Sequence, residues 1–431
     1  MIKYKGGVCL RNVPKLLLVL LVCMLISLLT GCLTAQEKQS TLPEEPPKQT
    51  TPAEPISESD KQQAEVLAKM RELSIEEKIG QLVLMGIEGL QLDTKAKDLI
   101  EKQHIGGIIL FKRNFDNVTQ SLQLINAVKQ SNEAGQVPLL ISLDEEGGRV
   151  TRLPEELVKT PTNRYIGNVA NGKFAYDIGE LLGKKLHAFG LNMDFAPVLD
   201  VDSNPNNPVI GDRSYGADPE IVSQAGLNQA EGMISQQIIP VVKHFPGHGD
   251  TSVDSHIDVP VITHDKKRLQ EIELLPFKRA IKNGIDAIMV GHLLVQAYDP
   301  LVPASMSKPV IEGLLRDELQ FKGVVITDDL IMGAVQKNYT IGEAAVRTIQ
   351  AGGDILLVGH GYDPVQQVVT ALREAVNSGE LTEQRINESV ERVLKLKMEY
   401  QLDDLQHDSI DVEDLNRQTK ELLAQLQANK K

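Results

Sequence analysis

The sequence predicts an α/β fold, a TIM-type (β/α)8 barrel that forms a single domain over residues 61–400. Short apolar runs of β type recur eight times, which is the number that a closed barrel requires. The runs are continuous rather than alternating, and helical patterns separate them, which indicates a parallel sheet covered by helices. A doubly wound open sheet would show the same order of elements, so the pattern alone leaves that fold open.

The predicted strands follow one another along the chain with helical segments between them. The strands are expected at residues 81–85, 107–111, 139–144, 193–199, 240–244, 287–290, 323–327 and 355–358. Helices are expected at residues 118–133, 174–189, 219–237, 266–283, 308–319 and 381–400.

The N-terminal segment predicts export. Four basic residues and no acidic residue precede an apolar run at 16–29, which is the order of a signal peptide covering residues 1–31. The run ends in Leu-Thr-Gly-Cys, which resembles a bacterial lipobox and implies cleavage before Cys32 and lipidation of its thiol. The mature protein would then be anchored at the outer face of the cytoplasmic membrane. An uncleaved signal anchor is the alternative.

Two further segments flank the predicted barrel. Residues 32–60 contain five prolines and no aromatic residue, so we expect a disordered tether. Residues 401–431 form an acidic and then leucine-spaced tail, in which Leu415, Leu422, Leu423 and Leu426 predict one docking helix. This tail is too short for another domain, so the barrel is expected to supply every catalytic residue.

Charge and cysteine content exclude several classes of function. The formal net charge is −14 and becomes −18 without the four basic residues of the leader, so nucleic acid is not an expected partner. An anionic membrane should repel this domain, which leaves lipid as the expected anchor. Cys9 and Cys23 lie in the leader and only Cys32 would remain, which excludes an intrachain disulfide, a thiol nucleophile and a thiolate metal site.

A histidine-rich segment follows the fifth predicted strand. The run KHFPGHG at residues 243–249, together with Asp254 and His256, contains three of the nine histidines of the chain. Groups that titrate near neutral pH, spaced by Gly and Pro at the end of a strand, indicate a catalytic loop. Asp254 and His256 are two residues apart, so in an extended segment the carboxylate can orient the imidazole as a general acid and base.

Other strand ends carry carboxylates that a barrel would bring to the same rim. Asp328 directly follows the predicted strand 323–327, and Asp144 and Asp200 end two others. A carboxylate positioned in this way can attack an anomeric carbon. Asp328 and the Asp254–His256 pair together suggest a double-displacement glycosidase in which histidine replaces one carboxylate.

Four motifs then carry a resemblance to a known family. The runs IGGIILFKRN at 105–114, DEEGGRV at 144–150, KHFPGHG at 243–249 and ITDDL at 326–330 occur in this order. Through them the chain resembles glycoside hydrolase family 3, and most closely its bacterial β-N-acetylglucosaminidase branch of single-domain lipoproteins. The resemblance implies that Asp328 is the nucleophile, that His256 and Asp254 form the acid/base dyad, and that Asp329 is structural.

The same resemblance implies the substrate and the residues that hold it. The hydroxyl and acetamido groups of the terminal sugar are expected to contact Asp144, Arg152, Arg213, Lys243 and His244. The implied activity is that of a β-N-acetylhexosaminidase, which removes terminal N-acetylglucosamine from cell-wall muropeptides or glycans with retention of β stereochemistry. No metal or organic cofactor is implied, and we expect a monomer.

Several alternatives stay open. A glycoside phosphorylase would differ only in its acceptor, a β-glucosidase would not need the acetamido group, and an inactive sugar-binding lipoprotein would keep the pocket alone. His244, His248 and His256 could bind a metal, although Pro246 and Gly247 interrupt the helix that a zinc pair at this spacing requires. The roles of Asp200, Asp202 and Asp212 stay undecided between the site and loop capping, and His292 could be a pocket residue or a buried barrel residue.

Overall fold

Eight parallel strands form the central sheet of the computed structural model, which describes residues 58–251 and 258–429. In sheet order the strands are β10-β1-β2-β3-β4-β5-β7-β9. They comprise β1 Val83–Gly86, β2 Gly107–Leu110, β3 Leu140–Leu143, β4 Met193–Asp194, β5 Ile239–Phe245, β7 Ala287–Val290, β9 Val324–Thr327 and β10 Leu356–Val358. A separate pair of short parallel strands contains β6 Val261–Ile262 and β8 Leu294–Val295.

The two edges of this sheet meet. Ile326 of β9 forms a parallel bridge with Ile355, the residue before β10, and the Thr327 amide donates to the Ile355 carbonyl at 3.0 Å. Strand β10 pairs in turn with β1, in register Leu356 with Val83. The sheet is therefore a nearly closed barrel rather than a doubly wound open sheet, which confirms the predicted fold class.

Helices surround the barrel and connect its strands. They are α1 Glu58–Glu72, α2 Ile75–Gln81, α3 Thr94–Gln103, α4 Val118–Ser131, α5 Asn163–Val169, α6 Gly172–Phe189, α7 Pro219–Ile234, α8 Lys266–Glu271, α9 Leu275–Lys282, α10 Gly333–Gln336, α11 Ile341–Gln350, α12 Tyr362–Ser378, α13 Glu383–Glu399 and α14 Val412–Asn429. A π-helix spans Pro309–Glu318, and short 3-10 turns occupy Lys112–Asn114, Gly211–Arg213 and Ala304–Met306.

Side-chain chemistry fixes several helix starts. Ser74 caps α2 by accepting from the Glu77 amide, while the Glu77 carboxylate accepts from the Ser74 amide, which forms a capping box. Thr340 and Glu343 form the same box at the start of α11. The eight strands of the barrel are buried along their whole length because helices cover the outside and side chains fill the inside. Each fully buried Val, Leu or Ile stabilises the fold by roughly 1.5–3 kcal/mol.

The predicted elements differ from the structure mainly at their ends. Gln81 belongs to helix α2 rather than to the first strand, and the fourth strand stops at Asp194 instead of 199. Pro197 explains the short strand because proline has no backbone N–H for the ladder. The single helix expected at 266–283 is two helices, with Pro276 near the start of the second. The helix expected at 308–319 has π geometry.

The flanking segments are described in part. Cys32, the signal peptide at 1–31 and most of the tether lie outside the described residues, whereas α1 begins at Glu58. The predicted docking helix is α14, which packs on α6 with Leu415 buried. Between α13 and α14 the chain is held by Asp404, which accepts hydrogen bonds from the Asn132 side chain and the Leu139 amide. Across the described ranges, no helix combines the length and the apolar character that a membrane span requires.

Candidate active site

A cavity of about 380 Å³ opens at the carboxyl ends of the barrel strands. It contains all the described residues that the sequence predicted to bind or attack the substrate, namely Asp144, Arg152, Arg213, Lys243, His244 and Asp328. The lining is completed by Ile109, Phe111, Glu146, Val150, Val209, His248, Met289, Asp329, Ile331, Met332, Gly333, Leu357 and His360. The predicted dyad residues Asp254 and His256 lie outside the described residues.

One side of the cavity is a network of opposite charges. Lys243, which is 2% exposed, extends from strand β5 and places its Nζ atom 2.6 Å from Asp144 Oδ1 and 2.7 Å from Glu146 Oε1. Arg213 holds Glu146 through two bonds of 2.8 and 2.7 Å, in a bidentate geometry that favours strong pairing. Arg152 Nη2 donates to Asp144 Oδ2 at 3.3 Å. The pocket therefore offers fixed cations and fixed acceptors within one small volume.

The network determines the protonation states of its members. Burial alone would raise the pKa of Glu146, but the Arg213 and Lys243 charges outweigh it and hold that pKa far below its usual range. Burial would lower the pKa of Lys243, yet the carboxylates of Asp144 and Glu146 raise it. The pKa of Asp144 is lowered because Lys243 and Arg152 outweigh its burial. All three groups are charged at neutral pH.

Backbone hydrogen bonds to neighbouring residues hold Asp328 in place. Its amide donates to the Val290 carbonyl at 3.0 Å, and its Oδ1 atom accepts from the Asp329 amide at 2.8 Å. Burial would raise the pKa of Asp328, but its interactions with the neighbouring His292 and His244 rings and with the Asp329 amide lower it below its usual value. A carboxylate of this kind is ionised at neutral pH and oriented into the cavity from the end of β9.

His244 is held by Asp200, a carboxylate buried under the pocket. Asp200 Oδ2 lies 2.6 Å from His244 Nδ1, and Asp200 Oδ1 accepts from the amides of His244 and His248 at 3.2 and 2.7 Å. His248 in turn contacts the Thr251 hydroxyl through its Nδ1 atom at 2.6 Å. Thr251 is the last described residue before 252–257, and it lies beside His248, a residue that lines the cavity.

Two further residues, His292 and Asp329, lie at the ends of neighbouring strands; Asp329 lines the cavity, and His292 is not among its lining residues. His292 is fully buried between the Ser305 hydroxyl at 2.7 Å and the Asp329 carbonyl at 3.0 Å, so it is a barrel histidine with both ring nitrogens bonded. Asp329 accepts from the Gly359 amide at 2.9 Å and the Ile331 amide at 3.2 Å. It therefore connects the ends of β9 and β10.

Sequence reasoning missed two important groups of this site. Glu146 was visible only as one of two glutamates in the DEEGGR run, and nothing in that run shows which of them pairs with Lys243. Asp200 was left undecided, although it ends the apolar run of the fourth predicted strand. By contrast, Asp202 pairs with Arg164 and Asp212 with Arg149 around the loop, so both are structural partners of arginines.

The geometry suits attack on a sugar better than metal chemistry at this position. His244 and His248 pack edge to face with ring centroids 5.8 Å apart, and the Nδ1 atoms are committed to Asp200 and Thr251. The pocket combines an ionised carboxylate with charged hydrogen-bond donors and acceptors, which is what recognition of a polyhydroxylated ring and attack at its anomeric carbon need.

Comparison with known proteins agrees with this chemistry. The Glycosyl hydrolase family 3 N terminal domain matches residues 74–396. "Beta-hexosaminidase A" of Pseudoalteromonas piscicida is 34% identical over 334 residues, which cover 71% of this chain but only 55% of that protein. The chain thus spans about half the length of this relative. "Beta-hexosaminidase LpqI" of Mycobacterium tuberculosis is 34% identical over 75% of this chain and 83% of its own length.

A solved structure shows the same architecture. The glycoside hydrolase family 3 β-N-acetylglucosaminidase from Paenibacillus sp. is 42% identical, covers 81% of this chain and 68% of its own, and superimposes with a TM-score of 0.78. The match with the family domain extends from the start of helix α2 to the last turns of α13, so it includes every strand of the barrel. The chain therefore belongs to glycosyl hydrolase family 3.

Proposed function

We propose that the protein is an exo-acting, retaining β-N-acetylglucosaminidase that forms a covalent glycosyl-enzyme on Asp328. The observation that carries the proposal is the ionised Asp328 in a cavity whose other polar groups are fixed by charge pairing. Because its Oδ1 atom is bonded to the Asp329 amide, Oδ2 is the oxygen available for attack on the anomeric carbon.

The reaction takes two steps. In the first, Asp328 Oδ2 bonds to the anomeric carbon while the glycosidic oxygen leaves and takes a proton from His256, whose imidazole Asp254 orients. In the second, His256 accepts a proton from water as the water oxygen displaces the Asp328 carboxylate. Two inversions at the same carbon retain the β configuration. The roles of Asp254 and His256 are taken from the resemblance to the family. The position of Thr251 beside His248 supports the proposal that they approach the pocket.

The charged network is suited to hold one terminal sugar. Asp144 and Lys243 offer an acceptor and a donor 2.6 Å apart, and Arg152 and His244 add donors or acceptors around the same cavity. A volume of about 380 Å³ lies near the lower end of the range for small-molecule pockets, which supports one bound residue rather than a long chain. This supports exo-action.

The specificity for the 2-acetamido sugar rests on the relatives. The two curated relatives carry the name β-hexosaminidase, and the solved Paenibacillus structure is a β-N-acetylglucosaminidase. For the substrate in the cell, we extend the proposal to muropeptides or cell-wall glycans. The lipobox-like run before Cys32 supports this extension because it would anchor the enzyme at the outer face of the membrane, beside the wall.

The test is a substrate comparison with the full chain in mild detergent. An aryl N-acetyl-β-glucosaminide and the matching β-glucoside are offered with and without inorganic phosphate, and the Asp328→Asn and Asp212→Asn variants serve as the inactive and surface controls. Selective release from the acetamido sugar that only Asp328→Asn abolishes supports the proposal. Equal release from the glucoside, acceleration by phosphate with a sugar phosphate product, or no release from folded protein each contradicts it.

A further inference from the structure

A second cluster of ionisable groups lies outside the catalytic cavity, where the chain enters and leaves segment 252–257. Asp250 precedes this segment, His264 follows strand β6, and Glu273 lies between α8 and α9. One carboxylate oxygen from each acid and one ring nitrogen of His264 all lie within 4.8 Å of one another. None of the three residues lines the catalytic cavity.

The buried carboxylate of Glu273 is only partly hydrogen-bonded among the described residues. Its side chain is 1% exposed, and its Oε1 atom accepts from Arg268 at 3.0 Å. Its Oε2 atom is buried and has no hydrogen-bond partner among the residues that the structure describes. A buried carboxylate oxygen without a partner is costly, by roughly 1–3 kcal/mol or more, so a ligand that satisfies it would be bound favourably.

The position of Glu273 is set by the histidine-rich motif itself. Gly247 has a φ of +123°, and a Cβ atom at that residue would lie 2.9 Å from Glu273 Cβ. The motif therefore packs directly against Glu273, and any side chain larger than that of glycine at residue 247 would collide with Glu273. Glu273 thus packs against the segment that supplies His244 and His248 to the pocket.

Asp250 and His264 are partly open to solvent and already face each other. His264 Nε2 contacts Asp250 Oδ2, and Asp250 Oδ1 accepts from the Ser203 hydroxyl at 3.1 Å. Their side chains are 30% (His264) and 22% (Asp250) exposed, so an ion can reach the cluster from water.

We propose that Asp250, His264 and Glu273 form a binding site for a divalent transition-metal ion, with Zn²⁺ the best fit. One imidazole nitrogen and two carboxylate oxygens match the ligand types of Zn²⁺, whereas Mg²⁺ and Ca²⁺ prefer oxygen alone. Arg268 neutralises one of the two carboxylates, which leaves one net negative charge for the dication. The three ligand atoms lie within 4.8 Å of one another, which places them close enough to share one ion.

The ion would join Asp250, which precedes strand β6, to His264, which follows it, and both to Glu273. It would take no part in bond breaking. Zn²⁺ binding at this cluster does not require the proposed hydrolytic activity.

The test is calorimetric titration of ZnCl2 into the full chain, kept in mild detergent and freed of metal with a chelator. We expect one ion per chain in the wild type and in His256→Ala, with a rise in melting temperature. Glu273→Gln and His264→Asn should each weaken binding by roughly 100-fold or more. The matched control is Glu271→Gln on helix α8, whose side chain is 64% exposed and which should bind as the wild type does.

Unchanged Zn²⁺ affinity in Glu273→Gln and His264→Asn, or its loss in His256→Ala alone, would overturn the proposal. X-ray absorption of the wild type with one equivalent of Zn²⁺ provides a test that does not depend on variants folding. We expect one imidazole nitrogen with oxygen ligands, and a shell with two or more imidazoles would assign the ion elsewhere.

Discussion

Asp200 contacts both the ring and the backbone of His244: its Oδ2 atom lies 2.6 Å from the ring nitrogen Nδ1, and its Oδ1 atom accepts from the backbone amide at 3.2 Å. A buried carboxylate that does not line the cavity therefore sets the position of a pocket residue.

The first prediction concerns this pair. Asp200→Asn keeps the size of the side chain but removes a charge-assisted hydrogen bond worth roughly 1.5–3 kcal/mol. If that energy is used to position His244 on the bound sugar, kcat/KM should fall by roughly 10- to 100-fold. Steady-state kinetics on an aryl N-acetyl-β-glucosaminide check this.

The matched control for Asp200→Asn is Asp212→Asn. Asp212 pairs with Arg149 at the surface, where the side chains are 44% and 52% exposed, and such pairs contribute little. Equal kinetics for Asp200→Asn and Asp212→Asn would show that Asp200 does not act through His244. Since His244 is also held at its amide, a loss confined to stability would indicate a purely structural role for Asp200.

This relationship also shows where sequence reasoning stops. The eight apolar runs and the charged residues at their ends predicted the barrel and placed Asp144, Lys243, His244 and Asp328 on one rim. They could not show that Asp200 pairs with His244 or that Lys243 pairs with Asp144, because those contacts join residues that are 44 and 99 positions apart in the chain. The pair of strands β6 and β8 was missed for a similar reason, since two residues are too few to show a pattern.

The second prediction concerns the buried charge network. Glu146→Gln leaves Lys243 and Arg213 with one carboxylate fewer, and the loss of one partner from a buried pair costs about 3 kcal/mol or more of unfolding free energy. Chemical denaturation of the wild type and Glu146→Gln measures it. The surface variant Asp212→Asn should lose less than about 1 kcal/mol, and a loss of that size in Glu146→Gln would contradict the importance of the network.

The third prediction is the acid sensitivity of the same network. The folded protein lowers the pKa of Glu146 below its ordinary value of 4.5, so unfolded chains bind a proton there before folded ones do. The stability from Glu146 is therefore complete above the ordinary pKa and is lost as the pH falls below about 4.5 toward the folded pKa. Between pH 6 and pH 3 the melting temperature should fall more steeply for the wild type than for Glu146→Gln. Parallel curves would exclude this linkage.

The fourth prediction concerns Lys397, a lysine buried at the opposite end of the barrel. Its Nζ atom donates to the Gln81 side chain at 2.7 Å and to the Gly106 carbonyl at 2.9 Å, and burial lowers its pKa to about 7. Unfolded chains hold this proton up to the ordinary pKa of 10.5, so the contribution of Lys397 to stability increases as the pH rises from 7 toward 10.5.

Lys397→Met removes that titration. As the pH rises, the unfolding free energy of the wild type should therefore increase relative to that of Lys397→Met, by at most about 1.4 kcal/mol per pH unit. Denaturant titrations at pH 7 and pH 9 measure the shift. Lys395→Met on the same helix, where the side chain is 52% exposed, is the control and should show no such trend. A trend of equal size in both variants would contradict the lowered pKa of the buried Lys397 amine.

The most direct test of the central claim is identification of the residue that carries the sugar during turnover. The His256→Ala variant is mixed with an activated aryl N-acetyl-β-glucosaminide, quenched with acid, digested and analysed by mass spectrometry. The leaving group needs no protonation, but the second step lacks its base, so the covalent intermediate should accumulate. We predict one N-acetylglucosaminyl residue on the peptide that contains Asp328. An adduct on another carboxylate, or turnover with inversion and no adduct, would contradict the account.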